Sequence, residues 1–389
     1  MKIAFVSLPL AGHLNPILAL AARVQSFGHE VVFISLLDAE ERTVAAGLRF
    51  VPVGREQFPL GSKHEAEKGF SVTSGESGMK YTSGLLGMIL GVIIRPLEEL
   101  LAAESLDGVV FDAYQFYLEL TAISLGLPYV HISNSVPFDV SGETPLCFFN
   151  WEYSDSAEAR KRNLEGVEIF RTMIEPSVAV AKDYAREKGL TVDWTDLTAT
   201  RSKLAWITQL PPAFDFGSAV ANDAPFHAGP FIDSKLRPSL AFPWERLTEA
   251  PLVYASMGTL QNGIESTFHH IINAARGLED LQFVVVLGNK LDSAAFEPLP
   301  KNVILVANAP QLELLKRASL CVTHAGLNTV LEALSEGVPL VALPVTHDQP
   351  GAAARIRYKR VGDFLELSDI SAESLRNLIV TVLSNSDYR

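Results

Sequence analysis

The feature of this sequence that most restricts its fold is the alternation of short apolar runs with segments of helical periodicity. Residues 2–8, 30–36 and 107–112 are near-continuous apolar runs, which is typical of parallel strands covered on both faces. Residues 15–27 and 114–125 carry apolar side chains at helical spacing. Strands that alternate with helices predict an α/β fold built on parallel sheets.

The alternation stops at a proline-rich segment and then begins again. Prolines are concentrated between residues 211 and 251, and proline at this density interrupts regular elements and marks a boundary. A second series of strands and helices begins at residue 252. We therefore predict two Rossmann-like, doubly wound domains that face each other across a cleft. Residues 1–232 form the first domain, residues 233–250 the linker and residues 251–389 the second domain.

Composition excludes several classes of protein. The chain of 389 residues is 48% hydrophobic, too apolar for a disordered protein. Its net charge of −13 and its lack of basic runs argue against binding of nucleic acid. An anionic small ligand would therefore need a local cationic or dipolar site. The two cysteines are too few for a disulfide framework, which fits the reducing cytoplasm.

No segment resembles a signal peptide or a membrane span. Gly12, His13 and Asn15 interrupt the apolar N-terminus early, so we predict a first strand there. The most apolar run, residues 85–94, has ten residues, whereas a membrane helix needs ~20. We predict a core or pocket helix for this run and leave peripheral contact with a membrane open.

The first candidate site lies where the strand order reverses. In a sheet of order 3-2-1-4-5, strands one and four are neighbours, and ligands bind beyond their carboxyl ends. His13 lies in the predicted loop of residues 12–16 after strand one, and strand four ends at Asp112. A carboxylate at this point would hold one imidazole nitrogen protonated and leave the other free as a base. The alternative is that the two residues only cap neighbouring elements.

The second domain has two small, polar loops at the equivalent place. Gly258 and Thr259 follow its first strand, and residues 324–329 follow its fourth strand and begin a helix. Such a helix start lets a phosphate approach exposed N–H groups, and we expect His324 to help meet the phosphate charge. Glu332 lies one helical turn beyond Asn328, within reach of a ribose. The alternative is ordinary helix capping by Asn328 and Thr329.

Other nucleotide and metal motifs are missing from the sequence. Neither domain has G-x-G-x-x-G after its first strand, and G-x-x-x-x-G-K-[ST] does not occur, which disfavours a dehydrogenase and a P-loop kinase. The nine histidines are scattered, so a catalytic metal is not indicated.

Four segments of the second half, residues 308–311, 324–332, 337–339 and 347–349, resemble the donor signature of UDP-glycosyltransferases. With Gly12, His13 and Asp112 the resemblance covers nearly the whole chain. It is strongest to the bacterial zeaxanthin (carotenoid) glucosyltransferase-like branch and extends to macrolide-type glycosyltransferases. The resemblance implies a GT-B fold and metal-independent sugar transfer with inversion.

The resemblance also implies roles for the matched residues. His13 would deprotonate the acceptor hydroxyl, and Asp112 would orient His13. A UDP-sugar would be the co-substrate, with no cofactor and no metal. The implied donor-binding residues are Gly258, Thr259, His324, Gly326, Asn328 and Thr329 for the diphosphate, Asn308, Ala309, Gln311 and Glu332 for the nucleoside, and Asp348 and Gln349 for the sugar.

The chain departs from the family pattern at three places. Asn308 stands where plant members carry a tryptophan that stacks on the base, and such stacking contributes ~1–3 kcal/mol. The choice between uridine and thymidine therefore stays open. Thr346 replaces another frequent tryptophan. Relatives usually continue into a final helix, which we expect to be missing here.

Two apolar groups are candidates for binding the acceptor. Adaptable methionines and flat aromatic rings suit a large lipophilic alcohol, although plain core packing is the alternative for each of them. The candidates are Met79, Tyr81, Leu85, Met88, Ile89 and Val92 in one segment, and Phe138, Phe148, Phe149, Trp151 and Tyr153 in the other.

Together these features predict a cytoplasmic enzyme, a monomer or a homodimer, that transfers a hexose to a lipophilic small molecule. Glucose from UDP-glucose is the expected donor sugar, and a carotenoid, flavonoid, sterol or macrolide-like alcohol the expected acceptor. One alternative is a nucleotide-sugar epimerase on the same fold. Another is a non-catalytic partner protein that binds a nucleotide sugar, and the presence of both His13 and Asp112 argues against it.

Overall fold

The computed structural model of the protein describes residues 1–217 and 225–388. The strands of the first half are β1 (Lys2–Val6), β2 (Glu30–Ser35), β3 (Arg49–Pro52), β4 (Gly108–Asp112), β5 (Tyr129–Ser133), β6 (Trp206–Thr208) and β7 (Phe226–His227). Those of the second half are β8 (Leu252–Ser256), β9 (Gln282–Val286), β10 (Val303–Val306), β11 (Ala318–Thr323), β12 (Leu340–Ala342) and β13 (Gly362–Phe364).

The described strands form two parallel sheets with the same core order. The first has the order β3-β2-β1-β4-β5-β6-β7, and the second has the order β10-β9-β8-β11-β12-β13. Strand β1 pairs with both β2 and β4, so Phe5 lies beside Phe33 on one side and Val110 on the other. The prediction of two doubly wound α/β sheets is confirmed, because each half reverses its strand order beside its first strand.

Helices cover the faces of both sheets. In the first half they are α1 (Ala11–Ser26), α2 (Glu40–Ala45), α3 (Ser62–Val72), α4 (Gly75–Ala103), α5 (Leu120–Leu125), α6 (Ala157–Met173) and α7 (Glu175–Lys188). In the second half they are α8 (Glu265–Arg276), α9 (Gln311–Leu315), α10 (Leu327–Ser335), α11 (Gln349–Tyr358) and α12 (Ala372–Ser384). No helix in residues 1–217 or 225–388 has the length and apolar character that crossing a membrane requires.

Two glycine-containing segments are helical, and the first of them corrects a local prediction. Residues 12–16 are not a loop, because α1 already begins at Ala11. The stretch 58–78 is also largely helical, since it contains α3 and the start of α4. Glycine at two positions lets neighbouring groups pack against the helix backbone. A Cβ on Gly69 would lie only 2.1 Å from the Tyr81 ring, and one on Gly78 would lie 3.1 Å from Thr346. Tertiary packing outweighs the low helix propensity of glycine here.

The two halves meet along the carboxyl edges of both sheets. Gly75 N donates to Val345 O at 3.0 Å, and Gly351 N donates to Cys147 O at 2.8 Å. The proposed linker, residues 233–250, contains the 3₁₀ turns Ser234–Leu236 and Trp244–Arg246. Part of the proline-rich segment, residues 218–224, lies outside the described residues.

Candidate active site

His13 and Asp112 meet at the switch point of the first sheet. His13 stands in the first turn of α1, and Asp112 is the last residue of the neighbouring strand β4. The distance from His13 Nδ1 to Asp112 Oδ2 is 2.6 Å. Because an ionised carboxylate only accepts hydrogen bonds, Nδ1 carries the proton and Nε2 is left as the basic nitrogen.

Asp112 is held by further residues that the sequence analysis missed. Ser7 Oγ donates to Asp112 Oδ2 at 2.9 Å, and Asn134 Nδ2 donates to the same oxygen at 3.2 Å. The N–H of Tyr114 donates to Oδ1 at 3.1 Å. Ser7 and Asn134 directly follow β1 and β5, so applying the strand-end rule to every strand would have found them.

The environment shifts the pKa of both members of this pair toward their charged forms. Burial by itself would lower the pKa of His13, but the charge and hydrogen bond of Asp112 raise it above its usual 6.5. Burial would likewise raise the pKa of Asp112, but His13, Tyr114 N–H and Ser7 bring it below its usual range. Asp112 is therefore ionised near neutral pH and stabilises the imidazolium that forms when His13 takes a proton.

In the second half, two glycines make room for His324. A Cβ on Gly258 would lie 2.4 Å from the His324 ring, and one on Gly326 would lie 2.5 Å from it. Gly258 has a φ of +71° in the turn after β8, which favours glycine. The predicted loops around Gly258, Thr259 and His324 therefore lie together at the carboxyl ends of β8 and β11.

The buried environment of His324 determines its protonation state. Burial lowers the pKa of His324 to about 4, although a backbone hydrogen bond with Ser256 opposes the shift. The ring is therefore neutral near pH 7 in the free protein. It offers a hydrogen bond to a phosphate, and the dipole of α10 supplies the positive potential.

Helix α10 begins without a side-chain cap at Gly326, so its first N–H groups are open to a ligand. Asn328, in the first turn, does not cap the helix with its side chain. Its Nδ2 donates to Gly12 O at 2.8 Å, and its Oδ1 accepts from Gln209 Nε2, also at 2.8 Å. Asn328 therefore connects the start of α10 to α1, the helix that carries His13.

Glu332 and Gln311, which are predicted to bind ribose, are brought together. Glu332 is buried on α10 and accepts a hydrogen bond from Gln311 Nε2, which also lies 3.3 Å from Thr329 Oγ1. The other oxygen of Glu332 is paired with Arg237 of the linker, a contact that the sequence analysis missed. Burial raises the pKa of Glu332, and Arg237 and Gln311 oppose that shift.

Asn308 and Ala309 lie beyond the carboxyl end of β10, at the same edge of the sheet. Asn308 is exposed, and its Nδ2 donates to Asn289 Oδ1 at 3.2 Å. A nucleobase at this edge would therefore meet the side-chain amides of Asn308 and Asn289 instead of an aromatic ring.

The predicted sugar-binding pair is used inside the protein. Asp348 Oδ2 accepts from Val136 N at 2.9 Å, across the two halves. Gln349 is buried, its Oε1 accepts from Val345 N at 2.9 Å, and its Nε2 donates to Gln261 at 3.1 Å. In this arrangement Gln349 stabilises the loop before α11, and Asp348 connects the two halves.

His347, before this pair, was not singled out from the sequence as a site residue. Its Nε2 lies 2.7 Å from Thr82 Oγ1 on α4, and its Nδ1 lies 3.3 Å from Gln261 Nε2. Burial, with the charges of His13 and His324, lowers the pKa of His347 to about 4. The His347 ring is therefore neutral and connects the two halves close to His13 and His324.

An aromatic cluster lies next to His13 on the first half. Phe138 is at its centre, with ring centroids 5.3 Å from Phe116 and 5.5 Å from both Phe148 and Phe170. Tyr114 joins the cluster to the base, since its ring is 5.8 Å from Phe138 and 5.2 Å from His13. The predicted Phe138 and Phe148 therefore belong to the cluster next to His13. The sequence analysis did not single out its other members, Tyr114, Phe116 and Phe170.

Other predicted acceptor residues lie elsewhere. Met88 is 50% exposed and points away from the buried face of α4, because helical periodicity turns it outward between Gly87 and Ile89. Tyr81 packs edge-on against Phe70 and donates to Ala66 O, which fixes α4 to α3. Trp151 stacks on Phe149 at 3.9 Å. Met79, Leu85 and Val92 are half-buried on α4, and Ile89 is buried.

Comparison with known proteins identifies the class that this fold and site define. The family model described as UDP-glucoronosyl and UDP-glucosyl transferase matches residues 179–389, more than half of the chain. The chain belongs to this family and is a glycosyltransferase.

The relatives agree with this assignment. Zeaxanthin glucosyltransferase of Pantoea ananas is 28% identical over 384 residues, covering 97% of this chain and 88% of the relative. Demethyllactenocin mycarosyltransferase of Streptomyces fradiae is 29% identical, covering 100% of this chain and 80% of the relative.

Solved structures confirm the GT-B fold. The calicheamicin glycosyltransferase CalG4 has a TM-score of 0.71 at 23% identity, covering 100% of this chain and 90% of its own. The glycotransferase of kitacinnamycin has a TM-score of 0.73 at 21% identity, covering 100% and 92%.

Proposed function

We propose that the protein transfers a hexose, glucose from UDP-glucose, to a hydroxyl of a lipophilic small molecule, with inversion and without a metal ion. The observation that carries this proposal is the hydrogen bond of 2.6 Å between His13 and Asp112. It supports an oriented base at the cleft, opposite the loops that match the donor signature.

His13 Nε2 takes the proton of the acceptor hydroxyl as its oxygen attacks the anomeric carbon of the sugar. The bond from that carbon to the diphosphate breaks, and UDP leaves with the electron pair. Asp112 stabilises the imidazolium that results. A single displacement of this kind inverts the anomeric configuration, which is why we assign inversion.

The leaving diphosphate would lie over the start of α10. Its charge would be stabilised by the open N–H groups of the first helical turn and by a hydrogen bond from His324. Because these groups stabilise the charge directly, we propose that transfer needs no metal ion. Among the described residues, no cluster of three or more histidine, cysteine, aspartate or glutamate side chains is arranged to hold one.

The choice of glucose rests on one relative, and Glu332 supports the nucleotide part of the donor. The name of the Pantoea ananas relative specifies a glucosyl donor, and Glu332 with Gln311 offers a carboxylate and an amide to ribose hydroxyls. The aromatic cluster around Phe138 offers the acceptor a flat, apolar surface beside the base. This apolar surface supports a lipophilic alcohol as the acceptor.

Product mass after incubation with UDP-glucose tests the proposal. Carotenoid, flavonoid, sterol and macrolide alcohols would each be offered, and we expect at least one to gain the mass of one hexose. The gain should disappear in His13→Ala and persist when EDTA is added. No product from any class, or full turnover by His13→Ala, would overturn the proposal, and inhibition by EDTA would overturn its metal-free part.

A further inference from the structure

A small cavity lies between α4 and the segment that follows β4. It has a volume of about 10 Å³, enough for one water molecule or one hydroxyl group. Every side chain in its wall except one is apolar. The wall is formed by Leu86, Ile89, Leu90, Ile93, Gln115, Phe116 and Leu118.

The exception, Gln115, has an unsatisfied oxygen. Gln115 is 7% exposed, and its Oε1 is buried without a hydrogen-bond partner. A buried carbonyl oxygen without a partner destabilises the folded state, and nearly all such atoms in proteins are paired. Gln115 Oε1 can therefore accept a hydrogen bond from a group that enters the cavity.

Water is a poor occupant of this cavity. A buried water usually makes two to four hydrogen bonds, and Gln115 is the only polar side chain in the wall. The hydroxyl of a lipophilic alcohol needs only the bond to Gln115, and its carbon skeleton would lie outside a cavity of this volume.

The cavity is close to the reacting base. Gln115 N donates to Asp112 O at 3.0 Å, so one tight turn separates the cavity residue from the carboxylate that orients His13. Between them, the Tyr114 ring lies 5.2 Å from the His13 ring and 6.1 Å from Phe116. A ligand molecule with one hydroxyl at His13 and another at Gln115 would therefore span the Tyr114 and Phe116 rings.

We propose that Gln115 and this cavity form a subsite for a second hydroxyl of the acceptor. The subsite rests on the proposed function and narrows its substrate class to lipophilic alcohols with at least two hydroxyls. One hydroxyl reacts at His13, and the other donates its hydrogen to Gln115 Oε1. Gln115 is then a specificity-determining residue that leaves the chemistry to His13.

Binding of matched alcohols to the UDP-saturated protein tests the subsite. The probes are α,ω-alkanediols from butanediol to dodecanediol and the monomethyl ether of each, titrated by calorimetry. Because the distance between the two hydroxyls varies along the series, one length should match the site. At that length the diol should bind about tenfold more tightly than its ether, which cannot donate from that end.

Gln115→Leu should abolish this difference and leave the affinity of the ether unchanged. It should not lower the thermal stability of the free protein, because it removes an unpaired oxygen. If Gln115→Leu does not fold, the unbranched Gln115→Met is used in its place. Leu90→Met is the control, because it alters the cavity wall but keeps Gln115 Oε1.

Two results would overturn the subsite: equal affinity of diol and ether at every length, or a preference for the diol that survives Gln115→Leu. Absence of binding by both series would overturn it as well. Glucosyl transfer to the alcohol panel is measured separately, so failure of the subsite and failure of the proposed function are distinguishable.

Discussion

The two sides of the cleft are prepared for catalysis to different degrees. On the first half, Asp112 Oδ2 accepts hydrogen bonds from His13, Ser7 and Asn134, and the basic nitrogen of His13 is left free. On the second half, the first N–H groups of α10 are open, but the side chains predicted to bind ribose are occupied by protein. Glu332 is paired with Arg237 and Gln311.

The difference follows from what each side must bind. The base acts on a proton that moves only during the reaction, so its partners can be fixed in advance. The proposed ribose contact requires Glu332 to exchange partners on donor binding, because a buried carboxylate cannot be left unpaired while the site is empty. Changes on the base side should therefore lower kcat, and changes on the donor side should weaken donor binding.

The largest effect should come from His13→Ala. Loss of a general base costs about 10²- to 10⁴-fold in rate, and we expect kcat with UDP-glucose and an accepted alcohol to fall by about 10³-fold. UDP should raise the thermal unfolding temperature of the variant as it does for the parent protein, because the donor loops are untouched. A fall in donor affinity equal to the fall in kcat would contradict the division between the two sides.

Asp112→Asn should have the next largest effect, together with a shift in pH dependence. His13 must be unprotonated to act as a base, so activity falls as the pH drops through its pKa. Asp112 raises that pKa above 6.5. Without its charge the pKa decreases, so the acidic limb of the kcat/KM profile moves to lower pH while the plateau falls by about 10²-fold.

Ser7→Ala is the matched control for this experiment, since it removes one hydrogen bond to Asp112 but keeps the charge. Its acidic limb should stay close to that of the parent protein. An unchanged limb in Asp112→Asn would show that the carboxylate does not tune the base.

These base-side residues were predictable because they follow from strand order alone. Local apolar patterns locate each strand, and the doubly wound order brings the ends of β1 and β4 together. His13 and Asp112 could therefore be paired although 99 positions separate them. The first turn of α1 was mistaken for a loop, but that error did not change which edge of the sheet His13 occupies.

The donor-side contacts with Arg237 and Gln209 could not be predicted in this way. They depend on how a linker and two sheets are placed against each other, and no local periodicity encodes that placement. The same holds for Thr82, which contacts His347 from the other half. Met88 shows a different limit, because a hydrophobic residue in an apolar helix can still face outward.

Glu332→Gln should weaken UDP binding by about tenfold, since a carboxylate that accepts hydrogen bonds from ribose is replaced by a neutral amide. The kcat at saturating donor should change little. Isothermal titration with UDP measures the effect, and Glu336→Gln, an exposed position at the end of the same helix, is the control. A tenfold loss of kcat without a change in UDP affinity would assign Glu332 to the chemical step.

The smallest effect should come from Gln209→Ala, which removes the bridge between the two sides. Gln209 Nε2 donates to Asn134 O and to Asn328 Oδ1, but it contacts neither His13 nor Asp112. One hydrogen bond contributes about 0.5–1.5 kcal/mol, so kcat/KM should fall by about threefold, and the pH profile should keep its position. In a double-mutant cycle with Asn328→Ala the two effects should not add, because both variants break the same contact. Strict additivity would mean that the two sides of the cleft are not coupled through this bridge, and a displaced acidic limb would mean that Gln209 influences the pKa of His13.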